Sequence, residues 1–193
     1  FFNNAAVAAE YALRVIGMSK VFIFDWDVHH GNGTMHSFYD QNRVLYSSIH
    51  QFPHYPGTGT AAELGDGDGA GYTVNLPLPP GADNVDYRYL FDHILLPMIR
   101  EYSPDLIIIS AGFDAHEADP LSAMQLTSAM YGDMAVLLRE AALQECEGRL
   151  ILVLEGGYDI SALSNANSDT LKALCGDWQP GESERPGSHS PAV

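Results

Sequence analysis

The stretch over residues 21–33, Val-Phe-Ile-Phe-Asp-Trp-Asp-Val-His-His-Gly-Asn-Gly, constrains the fold of this chain more than any other. It opens with an apolar run that is too short for a helix core and is typical of a buried strand. Two carboxylates and two imidazoles follow, at Asp25, Asp27, His29 and His30. In open α/β sheets, ligands bind beyond the carboxyl ends of the strands. The stretch therefore predicts a metal site at a strand end.

Apolar strands alternate with helical patterns along the rest of the chain. Further strands are predicted at residues 44–49, 72–78, 105–110 and 150–154. Helices are predicted at residues 5–16, 33–41, 84–102 (interrupted by Pro97), 122–145 and 161–174, with Asn3 or Asn4, Asp83 or Asn84, and Ser161 as N-caps. This alternation predicts an α/β fold whose mainly parallel sheet is covered on both faces. Residues 53–71 are predicted to be a long loop that is functional or disordered, and residues 179–193 a disordered tail.

Four of the apolar strands end in unusual polar residues. The first ends at the Asp-x-Asp-x-His of residues 25–29, and the others are followed by His50, Asp114 and Tyr158. Because the carboxyl ends of parallel strands share one edge of a sheet, we expect these side chains to lie close together.

Three of these side chains suit a metal ion. Asp27 and His29 are two residues apart, so in extended geometry they project the same way, and Asp114 is the natural third ligand. A catalytic zinc site keeps three protein ligands and one open position. A set with two carboxylates is harder than the usual zinc site, so Fe(II), Co(II) or Mn(II) could compete. Asp25 would then support the ligands or bind another ion.

Each signal has a plainer interpretation when it is taken alone. Acidic turns after strands are common, and Asp114 by itself is no more than a helix-capping residue. Gly156 and Gly157 are most simply a tight turn, and Tyr158 a core tyrosine with a satisfied hydroxyl. Packing or surface positions explain three histidines better than metal binding does: His50, His54 and His116. Only the joint occurrence of the signals favours a metal site.

Composition limits the partners. The chain has 25 acidic and 9 basic residues, a net charge of −16, which argues against direct nucleic-acid binding and favours cationic partners, or simply serves solubility. No apolar run approaches the roughly 20 residues that span a membrane, so no membrane partner is expected. Cys146 and Cys175 fit neither a disulfide framework nor a zinc site and indicate a reducing compartment, the cytoplasm or, in a eukaryote, the nucleus.

Several motifs, taken in order, resemble the zinc-dependent histone deacetylase family, nearer its class II and bacterial acetylpolyamine amidohydrolase branches. They are Phe-Phe-Asn-Asn at 1–4, the stretch at 25–33, Tyr-Pro-Gly-Thr-Gly at 55–59, Ser-Ala-Gly-Phe-Asp-Ala-His-Glu-Ala-Asp-Pro-Leu at 110–121, and Leu-Glu-Gly-Gly-Tyr at 154–158. The resemblance covers about residues 1–178, which we interpret as a partial catalytic domain. It implies the three-layer arginase-deacetylase fold with its mainly parallel sheet, lacking the N-terminal part.

The resemblance also implies roles for particular residues. One Zn²⁺ per chain would be bound by Asp27, His29 and Asp114. The Tyr158 hydroxyl would polarise the acetyl carbonyl and stabilise the oxyanion. Tyr55 would form an aromatic wall of the acyl-lysine tunnel. The two glycines that would let the backbone place the catalytic tyrosine are Gly156 and Gly157.

A K⁺ ion and several supporting residues are implied as well. In the family the loop that carries the metal ligands binds K⁺ together with a serine such as Ser48 and the carbonyl of Ile49. Asp25 belongs to that loop, and His30 would support the ligands. Asp25 and Asn32 also match positions that orient a separate His-His pair.

That His-His pair is where the sequence departs from the family. In the family it supplies the general base and precedes a segment like residues 1–4, and it is absent here. His29 and His30 do not replace it, because His29 is assigned to the metal. We therefore expect this chain to be the C-terminal portion of a deacetylase, which alone binds metal poorly and turns over no acetyl substrate.

Three functions stay open on the sequence. The leading one is removal of acetyl groups from acetyl-lysine in proteins. The alternatives are a deacetylase of acetylpolyamines or other small cationic amines, and a non-catalytic remnant of the fold that binds acetylated ligands or a partner subunit. The sequence leaves the oligomeric state open, a homo-oligomer included.

Overall fold

Five parallel strands form one sheet in the order β3-β2-β1-β4-β5. The computed structural model of the chain describes residues 2–179. The strands are β1 (Val21–Asp25), β2 (Val44–Gln51), β3 (Thr73–Leu78), β4 (Leu106–Ala111) and β5 (Leu150–Leu154). The central strand β1 pairs with β2 and β4, and its last residue, Asp25, lies opposite Ser48 on one side and Ser110 on the other. A strand in this position is buried on both faces, which explains its continuous apolar run.

Helices cover both faces of the sheet. They are α1 (Asn4–Tyr11), α2 (Asn32–Ser37), α3 (Asn84–Leu90), α4 (Leu96–Tyr102), α5 (Ser128–Glu145) and α6 (Ile160–Cys175). Phe22 and Phe24 of β1 share a core cluster with side chains of α3, α4 and α5. Val21 and Ile23 point to the other face and share a second cluster with α1 and α2. The alternation of side chains along β1 therefore builds the two cores of a three-layer α/β/α arrangement.

Two predicted helices contain a wider turn that the sequence pattern did not indicate. The first begins as α1, capped by the Asn3 side chain, which accepts the N–H of Ala6 at 2.9 Å, and continues as a π-helical turn over Ala12–Ile16 before Gly17. The segment predicted over 84–102 is α3, a π-helical turn at Phe91–Leu95, and α4. Pro97 lies in the first turn of α4, where its missing N–H is tolerated, so the predicted interruption is present.

Two predicted helix starts are wrong. α5 begins at Ser128 rather than at residue 122, because the backbone before it bonds to other loops: Gln125 N–H donates to the carbonyl of Ala82 at 2.9 Å. The N-cap of α6 is Asp159, whose side chain accepts the N–H of Ala162 at 2.7 Å. Ser161 lies inside the first turn of that helix. α2 is also shorter than the helix predicted over 33–41.

The long connection from β2 to β3 is held by specific hydrogen bonds. Glu63 accepts the N–H groups of Gly59 at 2.9 Å and Thr60 at 2.8 Å. His50, at the end of β2, has its Nε2 2.9 Å from the carbonyl oxygen of Gly59. One 3₁₀ turn, Gly67–Gly69, lies in the second half of the connection. The residues predicted as a loop therefore fold back onto the end of the sheet.

Part of the predicted tail cannot be compared with the structure. Apart from Gln179, residues 179–193 lie outside the described part of the chain. Within residues 2–179, none of the helices combines the length and apolar character needed to cross a bilayer.

Two glycines of the β2–β3 connection offer a matched test of this packing. Both have positive φ, 84° at Gly57 and 94° at Gly59. A Cβ at Gly59 would lie 2.5 Å from His50 Nε2 and 2.6 Å from His30 Cγ, whereas a Cβ at Gly57 would meet nothing within 4 Å. We expect Gly57→Ala to lower the free energy of unfolding by about 1 kcal/mol through backbone strain alone. Gly59→Ala should cost a further ~1–3 kcal/mol through the overlap. If urea denaturation shows the same loss of unfolding free energy for both variants, this packing is contradicted.

Candidate metal centre

The loop after β1 brings Asp27 and His29 to the carboxyl edge of the sheet through two consecutive turns. The Asp25 carboxylate accepts the N–H of Asp27 at 3.1 Å, and the Asp27 carboxylate accepts the N–H of His29 at 2.8 Å. Such side-chain turns are typical of aspartate at the end of a regular element. They fix the direction of the chain just beyond the central strand.

Asp114 reaches the same point from β4, the neighbour of β1. It is fully buried, and its Oδ1 accepts the N–H of Val28 at 2.8 Å. His29 Nδ1 lies 3.1 Å from Asp114 Oδ2 and 3.1 Å from Asp27 Oδ1. The candidate ligand atoms of Asp27, His29 and Asp114 all lie within 4.8 Å of one another. The structure thus brings together the three residues predicted as metal ligands.

Two glycines make this convergence sterically feasible. A Cβ at Gly112 would overlap Asp27 Oδ2, and a Cβ at Gly156 would overlap Asp114 Oδ2. Gly156 N–H donates to Asp27 Oδ2 at 3.0 Å, and its carbonyl accepts the N–H of Phe113 at 2.8 Å. The loop after β5 is therefore bound to the loops after β1 and β4. A glycine is needed at position 156 because the backbone there passes close to the Asp114 carboxylate, and a tight turn alone would not explain this.

The electrostatics of this cluster favour a cation. Hydrogen bonds to the carboxylates of Asp114 and Asp27 raise the pKa of His29 to about 10. Burial raises the pKa of the Asp114 carboxyl. His29 is therefore protonated at neutral pH, and its positive charge lies between the two carboxylates. One nitrogen and two carboxylate oxygens form a donor set that Zn²⁺ accepts and that Fe(II) or Mn(II) also tolerates, so the residues present fit a divalent metal.

Asp25 lies behind the cluster. Its side chain is buried, the hydroxyl of Tyr46 donates to it at 3.1 Å, and burial together with the Asp27 charge raises its pKa well above the ordinary value. A cavity of about 390 Å³ opens beside it and is lined on this side by Asp25, Asp27 and Glu155. The same cavity also contacts Asn3 and Asn4.

The two predicted substrate-side tyrosines both reach the surface. Tyr158 is 52% exposed, and its pKa is raised by partial burial and by the charges of Asp114, Asp27 and Asp119. It is therefore not the core tyrosine of the plainer interpretation. Tyr55 is 76% exposed, with its ring edge-on to His29 at 6.1 Å between centroids. Gly157, at φ 136°, precedes Tyr158 in a conformation that favours glycine.

The predicted supporting residues lie in different surroundings. His30 is buried, with Nδ1 2.8 Å from Thr58 Oγ1, while its Nε2 has no hydrogen-bond partner among residues 2–179. Ser48 is buried with Oγ 2.9 Å from His50 Nδ1, and Ile49 is part of the core. Asn32 is exposed at the start of α2.

Two residues near the cluster were missed or undervalued from the sequence. The ring of His54 stacks on His29, at 5.0 Å between centroids and 20° between planes, so it contacts a predicted ligand. Asp119 accepts the N–H of Tyr158 at 2.7 Å. The only available signals were the position of His54 beside Tyr55 and that of Asp119 inside the motif at 110–121.

Comparison with known proteins decides the family. A sequence profile described as "Histone deacetylase domain" matches residues 1–174. The chain belongs to this family. Membership confirms the resemblance seen in the sequence.

Relatives of this histone deacetylase domain come from plants and archaea. The chain is 44% identical over 176 residues to "Histone deacetylase 10, chloroplastic" of Oryza sativa subsp. japonica, covering 91% of this chain and 40% of that protein. It is also 44% identical over 177 residues to a "Probable deacetylase" of Archaeoglobus fulgidus, covering 91% of this chain and 49% of the relative. The chain thus spans about half or less of the length of these relatives.

Solved structures agree with the fold. The crystal structure of the HDA15 HD domain superposes with a TM-score of 0.86 at 43% identity, covering 94% of this chain and 51% of that one. The structure of the histone deacetylase Clr3 gives a TM-score of 0.87 at 36% identity, covering 97% of this chain and 32% of that one. The predicted arginase-deacetylase fold with its mainly parallel sheet is confirmed.

Metal binding can be tested by removing one ligand charge. In the full-length protein, Asp114→Asn keeps an oxygen that can accept the N–H of Val28 but removes a carboxylate from the cluster. We expect the zinc affinity, measured by competition with a chromogenic chelator, to fall about 100-fold or more. Glu155→Gln is the matched control, because Glu155 lines the adjacent cavity without belonging to the cluster. A ligand role for Asp114 would be contradicted by equal zinc affinities of the two variants.

Proposed function

We propose that the protein is a zinc-dependent amide hydrolase that removes acetyl groups from acetyl-lysine in proteins. Membership of the histone deacetylase domain family supports deacetylation. The observation that carries the proposal is the partly exposed hydroxyl-bearing side chain of Tyr158, whose loop is hydrogen-bonded to Asp27 through Gly156. A phenol carried by a loop that is bonded to the candidate metal ligands would supply a hydrogen-bond donor for the oxygen of an amide under attack.

Asp27, His29 and Asp114 would hold the metal. When bound, Zn²⁺ supplies a Lewis acid and lowers the pKa of a coordinated water. The chain's own residues prepare the site: Gly112 and Gly156 leave room for the carboxylates, and Val28 N–H fixes Asp114.

Tyr158 would donate a hydrogen bond to the acetyl oxygen. The ordinary pKa of a tyrosine already lies well above neutral pH and that of Tyr158 is raised further, so the phenol is protonated and a donor is available. A donor already in place stabilises the charge that develops on this oxygen in the transition state. The exposed ring of Tyr55, edge-on to His29, would pack along the apolar stem of the acylated lysine.

A monovalent cation near Asp25 is part of the proposal. Asp25 is a buried carboxylate, and buried charges are normally paired or bind metals. The loop of residues 25–29, with Ser48 and the carbonyl of Ile49, would hold K⁺. His30 would support this loop from its contact with Thr58, and Asn32 would help to orient the separate His-His pair.

A small cationic amine is the second candidate substrate. The net charge of −16 and the carboxylates beside the metal cluster would attract acetylated polyamines. The two candidates are separated by comparing kcat/KM for an acetyl-lysine peptide with that for an acetylated diamine. A higher value for the peptide supports the first candidate, and a higher value for the diamine supports the second.

A reducing compartment, in the first place the cytoplasm, is proposed as the location. Cys146 is buried and Cys175 is exposed, and neither is in a disulfide.

The oxyanion role of Tyr158 has a direct test. In the full-length protein, Tyr158→Phe should lower kcat for acetate release about 10²- to 10³-fold, the usual cost of one such donor. The bound zinc should be unchanged, because the ring is not a ligand. Tyr89→Phe is the control, since Tyr89 is also a largely exposed tyrosine but lies on α3. Unchanged acetate release by Tyr158→Phe would refute the proposed oxyanion role of this hydroxyl.

The need for a separate general base can be tested with the 193-residue chain alone. Its sequence contains one His-His pair, His29-His30, and both rings are used at the metal cluster or against Thr58. We expect weak zinc binding and no acetate release above the rate of a zinc-only control. Robust zinc-dependent turnover by this chain would contradict the expectation.

A further inference from the structure

Asp119 is a buried carboxylate that spans two loops at the edge of the sheet. It lies in the loop after β4, five residues after Asp114, and is 5% exposed. Its Oδ1 accepts the N–H of Leu121 at 3.0 Å within its own loop. Its Oδ2 accepts the N–H of Tyr158 at 2.7 Å and, at 3.4 Å, that of Asp159 in the loop after β5. The loop that carries a metal ligand is therefore bound to the loop that carries the tyrosine.

The tyrosine depends on its backbone for its position. Its side chain is about half exposed, so packing against neighbours cannot fix the ring as it would in the core. The backbone before it is held at Gly156, whose N–H donates to Asp27 and whose carbonyl accepts the N–H of Phe113. Gly157 follows at φ 136°. The next backbone contact along the chain is the one from Tyr158 to Asp119.

Nearby groups do not duplicate this contact. The Asp159 side chain accepts the N–H of Ala162, so it caps α6 and is directed along its own helix. The N–H groups of Leu121 and Tyr158 donate to different oxygens of Asp119. An asparagine at this position has one acceptor oxygen and could accept only one of them. The carboxylate is required because three backbone donors converge on it.

We propose that Asp119 is a positioning residue, which sets the place of the Tyr158 hydroxyl relative to the metal ligand Asp114. The inference deepens the proposed function and rests on the role given there to Tyr158. The hydrogen bonds of the Asp119 carboxylate go to backbone N–H groups, and Asp119 does not belong to the candidate ligand cluster. Asp119 would affect catalysis by holding the backbone of Tyr158 in place.

A double-mutant cycle in the full-length protein tests the proposal. Asp119→Asn should lower kcat for acetate release about 10- to 100-fold, as expected for a reacting group displaced by up to about 1 Å, with KM and zinc content little changed. In the Tyr158→Phe background the same substitution should change kcat less than about twofold, because the hydroxyl it positions is already gone. Equal fold-losses in both backgrounds would overturn the proposal. If Tyr158→Phe alone has no effect, the proposed function fails first, so the two failures are distinguishable.

Hydrogen exchange gives a readout that does not depend on activity. In the metal-free protein, Asp119→Asn should speed amide exchange in the peptide over residues 156–160, because the hydrogen bonds of Tyr158 and Asp159 to a charged carboxylate are weakened to bonds with a neutral amide oxygen or lost. Asp83→Asn is the matched control: Asp83 also accepts two backbone N–H groups, at 2.8 and 3.4 Å, but at the start of α3. Unchanged exchange over 156–160 in Asp119→Asn would contradict the proposal. If Asp119→Asn does not fold, Asp119→Glu, which keeps the charge but displaces it, should show the same non-additivity with Tyr158→Phe.

Discussion

The buried carboxylate of Asp114 is the constraint on which this edge of the molecule depends. A charge without any exposed surface costs several kcal/mol unless it is paired and hydrogen-bonded. The N–H of Val28 and the imidazole of His29 supply those partners, and both belong to the loop after β1. The loops after β1 and β4 are thereby bound to each other across neighbouring parallel strands. A metal ion at the same point would supply the positive charge that the carboxylates require.

Backbone contacts extend this arrangement to β5. Gly156 bonds to Asp27 and to Phe113, and the missing side chains at Gly112 and Gly156 are what allow the carboxylates to come so close. The strand order β1-β4-β5 makes these contacts possible, because all three strands end at one edge. The sheet therefore determines where the site lies, and the buried charges determine how its loops are arranged.

The parts of the fold that could be predicted are those encoded locally. The strand β1 follows from its apolar run, and Asn3 as a cap follows from the pattern of α1. The association of Asp27, His29 and Asp114 follows from parallel strands sharing an edge. The strands β1 and β4 that carry these residues are also direct neighbours in the sheet, an order that the sequence alone did not predict.

The parts that escaped prediction depend on contacts between distant segments. The start of α5 is delayed because residue 125 bonds to Ala82, and the sequence around residue 122 contains no sign of that contact. The partner of Asp119 lies 39 residues away in the chain. His54 stacks on His29 only because the β2–β3 connection folds back onto the sheet. Tertiary contacts of this kind leave no periodic pattern for a local interpretation to use.

Anomalous diffraction at the zinc absorption edge, from crystals of the zinc-loaded full-length protein, tests the metal assignment most directly. We expect one strong peak within about 2.0–2.2 Å of His29 Nδ1 and of a carboxylate oxygen of both Asp27 and Asp114. A zinc peak bound elsewhere, with these three side chains free of metal, would contradict the assignment.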